Sequence, residues 1–204
     1  MIVGKLIGIT GLAGSGKSTV AEYLELFGGF KRVSFATPVK EMAATLLTVG
    51  YCYDRDDVDW YLAYKEVVLP KLGVSMRHLL QTLGTDWGRN MISQSIWTNS
   101  VMHRVLPRQG EPSNVVIDDV CFEDEAAFIR SNGGMMIHLI RPGVEQGGHI
   151  SESGVSVGAN DVVINNSGSI AELLEEIDRA IETLNTDHDQ LLAMCLTPCI
   201  GYAA

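Results

Sequence analysis

Residues 5–19 read KLIGITGLAGSGKST, and the reading of this stretch decides the fold. Lys5 to Thr10 is a short apolar run suited to a buried strand. Gly11-Leu12-Ala13-Gly14-Ser15-Gly16-Lys17-Ser18 then satisfies the phosphate-loop pattern G-x-x-x-x-G-K-[ST] throughout. Its glycines let successive N–H groups turn inward and cradle phosphate oxygens. A helix opening at Lys17 adds its positive N-terminal end. The pattern assigns Gly11, Ala13, Gly14, Ser15, Gly16, Lys17, Ser18 and Thr19 to the phosphates of ATP. Lys17 is expected to reach the β- and γ-phosphates as a catalytic cation, Ser18 to bind Mg²⁺, and Thr19 to donate to the α-phosphate. Chance alone produces such a string in on the order of one chain in a hundred of this length. The strand before it and the helix after it make coincidence rarer still.

Outward from the loop, Val20, Tyr23, Leu24 and Phe27 carry a helical period that Gly28-Gly29 stops. Residues 31–35 read as a strand, and Pro38 opens a helix through Leu47. Residues about 50–110 lack clear strands and read as a helical region with an acidic loop at Asp54–Asp59. NVVID (114–118) is a buried strand, Glu123–Ser131 a helix and MMIHLI (135–140) another strand. Residues about 142–160, rich in Gly, Ser and charge, form a lid-like excursion. Asp161–Ile164 is a fifth strand. Ser169 opens a helix through Leu184, with Glu172 completing a capping box. This alternation predicts one α/β domain over residues 1–204: a five-stranded parallel sheet with helices on both faces. Strand order does not follow from the pattern.

The formal net charge of −10 argues against a nucleic-acid polymer as partner, since that contact needs clustered cations. A mononucleotide needs only a few local cations. No apolar run approaches the roughly 20 residues of a membrane span, and the N-terminus resembles no signal or transit peptide. Scattered Cys52, Cys121, Cys195 and Cys199 fit a cytoplasmic protein with reduced thiols, and no His/Cys spacing matches a zinc site.

Asp118-Asp119 ends the strand 114–118, where an acid can complete the magnesium shell. The acceptor is constrained by chemistry. An alcohol would need a base to remove its proton. A nucleoside monophosphate already presents an ionised oxygen and needs cations to hold two phosphates together. Arg77, Arg89 and Arg104 lie in the middle region, and Gln81 stands one helical turn from Arg77 with an amide able to read a base edge.

The segment LLQTLGTDWGR (79–89) resembles the signature of phage-type deoxynucleoside monophosphate kinases. FATPVKE (35–41), IWTNSV (96–101), VIDDVCFEDEA (116–126), LIRPG (139–143), HISESG (149–154) and INNSGSIAELLEEI (164–177) agree in the family's order, from residue 5 to about 184. The resemblance implies a P-loop NTPase fold of three α/β/α layers with a helical monophosphate-binding insertion and a short lid. It implies transfer of the ATP γ-phosphate to a dNMP with Mg²⁺, in the cytoplasm (the host's, if the gene is a phage's). By position it puts Arg77, Gln81 and Arg89 on the acceptor side, with Arg89 also catalytic. Asp119 becomes the metal-binding and catalytic acid, and Arg141 a catalytic cation at the start of the lid. His149, Ser151 and Glu152 match the family's H-x-S-E segment. Where the family has arginine after D-V, this chain has Cys121; Lys40 is the expected substitute for that charge.

Two other readings share the loop: a kinase of dephospho-coenzyme A or another metabolite, and an ATP-binding regulator with slow hydrolysis. Leu191, Leu192, Met194 and Leu196 suggest a docking helix or the contact of a homodimer.

Overall fold

The apolar run ahead of the phosphate loop becomes β1 (Leu6–Thr10), buried at every residue. The computed structural model describes residues 5–105, 114–144 and 154–196. After β1 come α1 (Lys17–Leu26), β2 (Lys31–Val33), α2 (Thr37–Thr45), α3 (Arg55–Ala63), β3 (Val68–Leu69), β4 (Val74–Ser75) and α4 (Met76–Gln81). α5 (Ile96–Val105), β5 (Val115–Ile117), α6 (Glu123–Ser131), β6 (Met135–Ile140), β7 (Val162–Asn165) and α7 (Ile170–Leu196) complete the order.

The main sheet is five-stranded and parallel, ordered β2-β5-β1-β6-β7, with Ile7 level with Val116 on one side and Met135 on the other. Alternation along the strands sorts the core. Ile7, Ile9, Val116 and Ile137 meet Val20 and Leu24 of α1 and Leu173 and Ile177 of α7. Leu6, Val115, Ile117 and Met136 meet Val101 and Val105 of α5 and Ala126 and Ile129 of α6. Three layers result, because both faces of the sheet are apolar. Later strands flank β1 on either side, so its C-terminal end is the point where the connections diverge. An open parallel sheet binds ligands there, and the phosphate loop leaves β1 at that end.

A separate small core of Ala43, Ala44, Leu47, Tyr53, Val58, Leu69 and Met76 holds the helical region together. Asp54–Asp59 is not the expected loop. Asp54 caps α3 by accepting from the Asp57 N–H at 2.9 Å, and Asp56 and Asp57 occupy the favourable first turn. The region also contains an antiparallel hairpin, β3–β4, that periodicity did not reveal because each strand is two residues long. Leu46–Gly50 and Thr82–Ile92 are π-helical. In the second run, Trp97 Nε1 donates to the Gly84 carbonyl at 2.7 Å, and its ring covers Gly88 so closely that no side chain fits there.

The strand expected over 31–35 stops at Val33, since Ser34, Phe35 and Ala36 turn toward Asp119. Ser169 and Glu172 form the expected capping box, but α7 runs to Leu196, past the expected end at Leu184. His149, Ser151 and Glu152 lie outside the described residues, as does the middle of the lid-like excursion. No helix among the described residues is long and apolar enough to cross a membrane.

Candidate active site

The phosphate loop is held from three directions. Gly11 has φ +144°, and a side chain there would collide with the Leu139 carbonyl of β6. Gly16 has φ +104°, and a Cβ would come within 2.8 Å of Asn166 Nδ2. Asn166 in turn donates to the Ser15 carbonyl at 2.9 Å, tying the loop to the end of β7. Arg141 Nη1 reaches the Gly14 carbonyl at 3.3 Å from the end of β6. The Lys17 ammonium folds back on the loop and donates to the carbonyls of Gly11 (2.6 Å) and Leu12 (2.8 Å). Ala13 and Gly14 form the exposed tip, and Ser18 and Thr19 are exposed on the first turn of α1. Ser15 turns its hydroxyl fully inward, where it has no hydrogen-bond partner among the described residues, and its N–H closes a turn on Leu12.

The two acids after β5 have different surroundings. Asp118 is buried in an ion pair with Arg32. Asp119 accepts from Phe35 N–H (2.9 Å) on Oδ1, and from the Ser34 hydroxyl (2.6 Å) and Ala36 N–H (2.9 Å) on Oδ2. A carboxylate offers about four acceptor sites, so Oδ1 retains one. Asp119 and Ser18 line the same groove beside Lys17. One free carboxylate site and one hydroxyl suit Mg²⁺, which takes few protein ligands and completes its shell with phosphates and water.

Beyond Asp119 lies a cavity of about 240 Å³. Its apolar wall is Phe35, Val39, Leu80, Trp97 and Phe122, with Gln81, Thr85, Arg89 and Glu125 as polar groups among them. Lys40, Lys65, Arg77, Asp119 and Cys121 also line it, and each of them lines at least one of the two grooves that contain Lys17. The cavity therefore adjoins the phosphate loop. Arg77, whose Nε donates to Glu66, is shared with one of these grooves and Lys40 with the other.

Arg89 departs from expectation. It lines the cavity but is only 8% exposed, and its guanidinium is held by neighbouring groups. Nη1 donates to Asp124 (2.7 and 2.8 Å) and the Gln94 carbonyl (3.1 Å), Nη2 donates to Glu125, and the guanidinium stacks on Phe122 at 3.9 Å. Its donors are already taken up by Asp124, Glu125 and the Gln94 carbonyl, which ties α6 to the segment that carries Arg89. Burial pushes the Glu125 carboxyl up to about 7, against the Cys121 N–H and the Arg89 charge. Burial, then the charges of Glu125 and Asp119, push the Cys121 thiol up to about 12, so it is a neutral wall at physiological pH.

Sequence reasoning missed Lys65 and Asn166. A lone lysine in a turn carries no pattern, and Asn166 gains meaning only when β7 is set beside the loop. It also missed a polar cluster beside β6, whose His138 lines a groove with Lys17. Asp161 takes Arg130, the Gly158 N–H (2.7 Å) and His138 Nε2 (2.9 Å). Burial acts against them, yet these partners hold its carboxyl down to about 2.

A phosphate loop at the divergence point of a parallel sheet, beside a second cavity that shares cations with the grooves around Lys17, defines a phosphotransferase. The deoxynucleotide monophosphate kinase family matches residues 57–177, and the chain belongs to that family. It is similar to a protein of Acanthamoeba polyphaga mimivirus, provisionally named a deoxynucleotide monophosphate kinase: 32% identical over 191 residues, covering 87% of this chain and 96% of that one. Deoxynucleotide monophosphate kinases of Enterobacteria phage T4 (30% over 112 residues) and Escherichia phage RB69 (31% over 109 residues) align over 54% and 52% of this chain. Those two alignments span 46% and 45% of the phage proteins.

Proposed function

We infer that the protein transfers the γ-phosphate of ATP to a deoxynucleoside monophosphate, giving ADP and dNDP. The observation that carries this is the sharing of Lys40, Lys65 and Arg77 between the acceptor cavity and the grooves beside Lys17. Cations at that junction suit an acceptor that is itself an anion. A phosphate oxygen of the dNMP attacks the γ-phosphorus, the new O–P bond forms, and the bond to the β–γ bridging oxygen breaks with ADP leaving. The attacking oxygen is already ionised, so no base is required. Gly11 to Thr19 hold the ATP phosphates, Lys17 stabilises charge on the transferring group, and Arg141 adds a second cation from the lid side. Mg²⁺ held by Ser18 and Asp119 would neutralise the β- and γ-oxygens. Gln81 reads the base edge in the deeper cavity, and Arg77 and Lys40 face the acceptor phosphate. Arg89 acts as a positioning residue through Asp124 and Glu125.

A panel of dNMP and NMP acceptors with ATP and Mg²⁺, followed by ADP release, tests the assignment. Turnover with one or more dNMPs is expected. Turnover of dephospho-coenzyme A alone would replace this reading with a metabolite kinase. ATP binding without acceptor-dependent ADP release would make the protein a nucleotide-binding regulator.

A further inference from the structure

We propose that Lys65 is the principal ligand of the acceptor phosphate, the cation that holds the second nucleotide's phosphate against the phosphate loop. The proposal rests on the phosphotransfer reading above and adds a residue to it. Lys65 sits in the turn between α3 and β3, and among the described residues it alone lines all three cavities that meet at the loop. Its backbone is fixed. The Lys65 carbonyl accepts from Arg77 N–H at 2.8 Å, and the turn around it closes with Val67 N–H on the Tyr64 carbonyl at 3.0 Å. The side chain is half-buried, and its ammonium makes no hydrogen bond or ion pair among the described residues.

The surrounding charges explain what the ammonium lacks. Lys40 faces it from α2 and Arg77 from α4, and Lys17 shares two grooves with it from α1. Against these stand Asp119, whose oxygens already accept three hydrogen bonds, and the neutral thiol of Cys121. Burial first, then the charges of Lys40 and Arg77, lower the Lys65 pKa from that of an ordinary lysine. A half-buried ammonium among cations is relieved by a dianion, and a nucleoside monophosphate supplies one from the cavity side. The pinned backbone spares the complex part of the ordering cost a mobile lysine would add.

Steady-state kinetics of Lys65→Ala and Lys65→Arg, with ATP saturating, decide the matter. Lys65→Ala is expected to raise the acceptor KM about tenfold and lower kcat by on the order of a hundredfold, with the ATP KM little changed. Lys65→Arg should recover most of both losses, because its charge is kept. The wild-type acceptor KM should rise as pH climbs through the lowered lysine pKa, and in Lys65→Arg that rise should vanish. Lys40→Arg controls for the neighbouring lysine, and should retain the wild-type rise. Should Lys65→Ala fail to fold, the flat pH profile of Lys65→Arg still carries the test. Wild-type acceptor kinetics in Lys65→Ala would overturn the proposal, as would an unchanged pH profile in Lys65→Arg. A wild-type enzyme that turns over no dNMP would instead overturn the kinase reading itself, and this assignment with it.

Discussion

Arg89→Ala separates a brace from a ligand. In the folded protein the Arg89 guanidinium neutralises Asp124 and Glu125 and covers the Phe122 ring. Removing it leaves the Glu125 carboxylate, 3% exposed, without its cation. Breaking one partner out of a buried pair costs about 3–5 kcal/mol. In a domain of this size each kcal/mol moves Tm by roughly 2–4 °C, so the melting point should fall by about 6–20 °C. The loss should depend on pH. Glu125 is raised to about 7 in the folded state, above the ordinary value of 4.5, so the native state holds the extra proton between those values. Its contribution to stability is complete below about 4.5 and is lost as pH rises through about 7. With Arg89 gone, the unpaired carboxylate is worst above pH 7, so the variant's deficit should be larger at pH 8 than at pH 5.5. Thermal denaturation followed by circular dichroism at the two pH values measures this, and Glu125→Gln on the Arg89→Ala background should restore part of the loss at pH 8. A variant that melts with wild type at pH 8, and whose defect lies only in acceptor KM, would refute the bracing argument and return Arg89 to the substrate.

Three further outcomes are expected. Lys17→Ala should lower kcat by on the order of a thousandfold with an unchanged melting point, and activity within a few-fold of wild type would remove Lys17 from the transition state. Asn166→Ala should release the Ser15 carbonyl and loosen the loop; the ATP KM should rise several-fold while the acceptor KM holds, since a loop that must be ordered on binding binds more weakly. Asp161→Asn should lower stability by about 1–2 kcal/mol near neutral pH after allowance for solvent screening, in urea unfolding. The depressed Asp161 carboxyl contributes above its ordinary value of 3.8 and loses that contribution as pH falls through about 2, so the gap between variant and wild type should close over that window.

The sheet was legible because parallel strands buried on both faces read as continuous apolar runs: β6 and α6 fall on the expected residues. The phosphate loop was legible because its pattern is local, eight consecutive residues from Gly11 to Ser18. The helical region was read less well. Asp54 to Asp59 carry enough charge to resemble a loop, yet a capping aspartate and two acids in the first turn are also how a helix begins. β3 and β4 are too short to show a period. The cavity beside the loop is non-local: Lys65, Arg77 and Asp119 come from three segments that only the fold brings together, and the carboxylates that hold Arg89 could not be read before Asp124 and Glu125 were placed against it. The chemical types in the 79–89 segment were legible, and the direction in which each points was not.

The π-helical run from Thr82 to Ile92 makes the cavity wall sensitive to length as well as to composition. Its wider turn leaves the Gly84 carbonyl open to Trp97 and brings Gly88 under the same ring, while Arg89 continues inward to its carboxylates. Loss of one residue would let the chain relax toward the narrower α form and rotate everything downstream about the helix axis. Trp97 would then face the wrong carbonyl and Arg89 the wrong acids. Point changes on the outer face of this run, such as at the exposed Met91, are therefore compatible with the fold, whereas single-residue deletions within it are not.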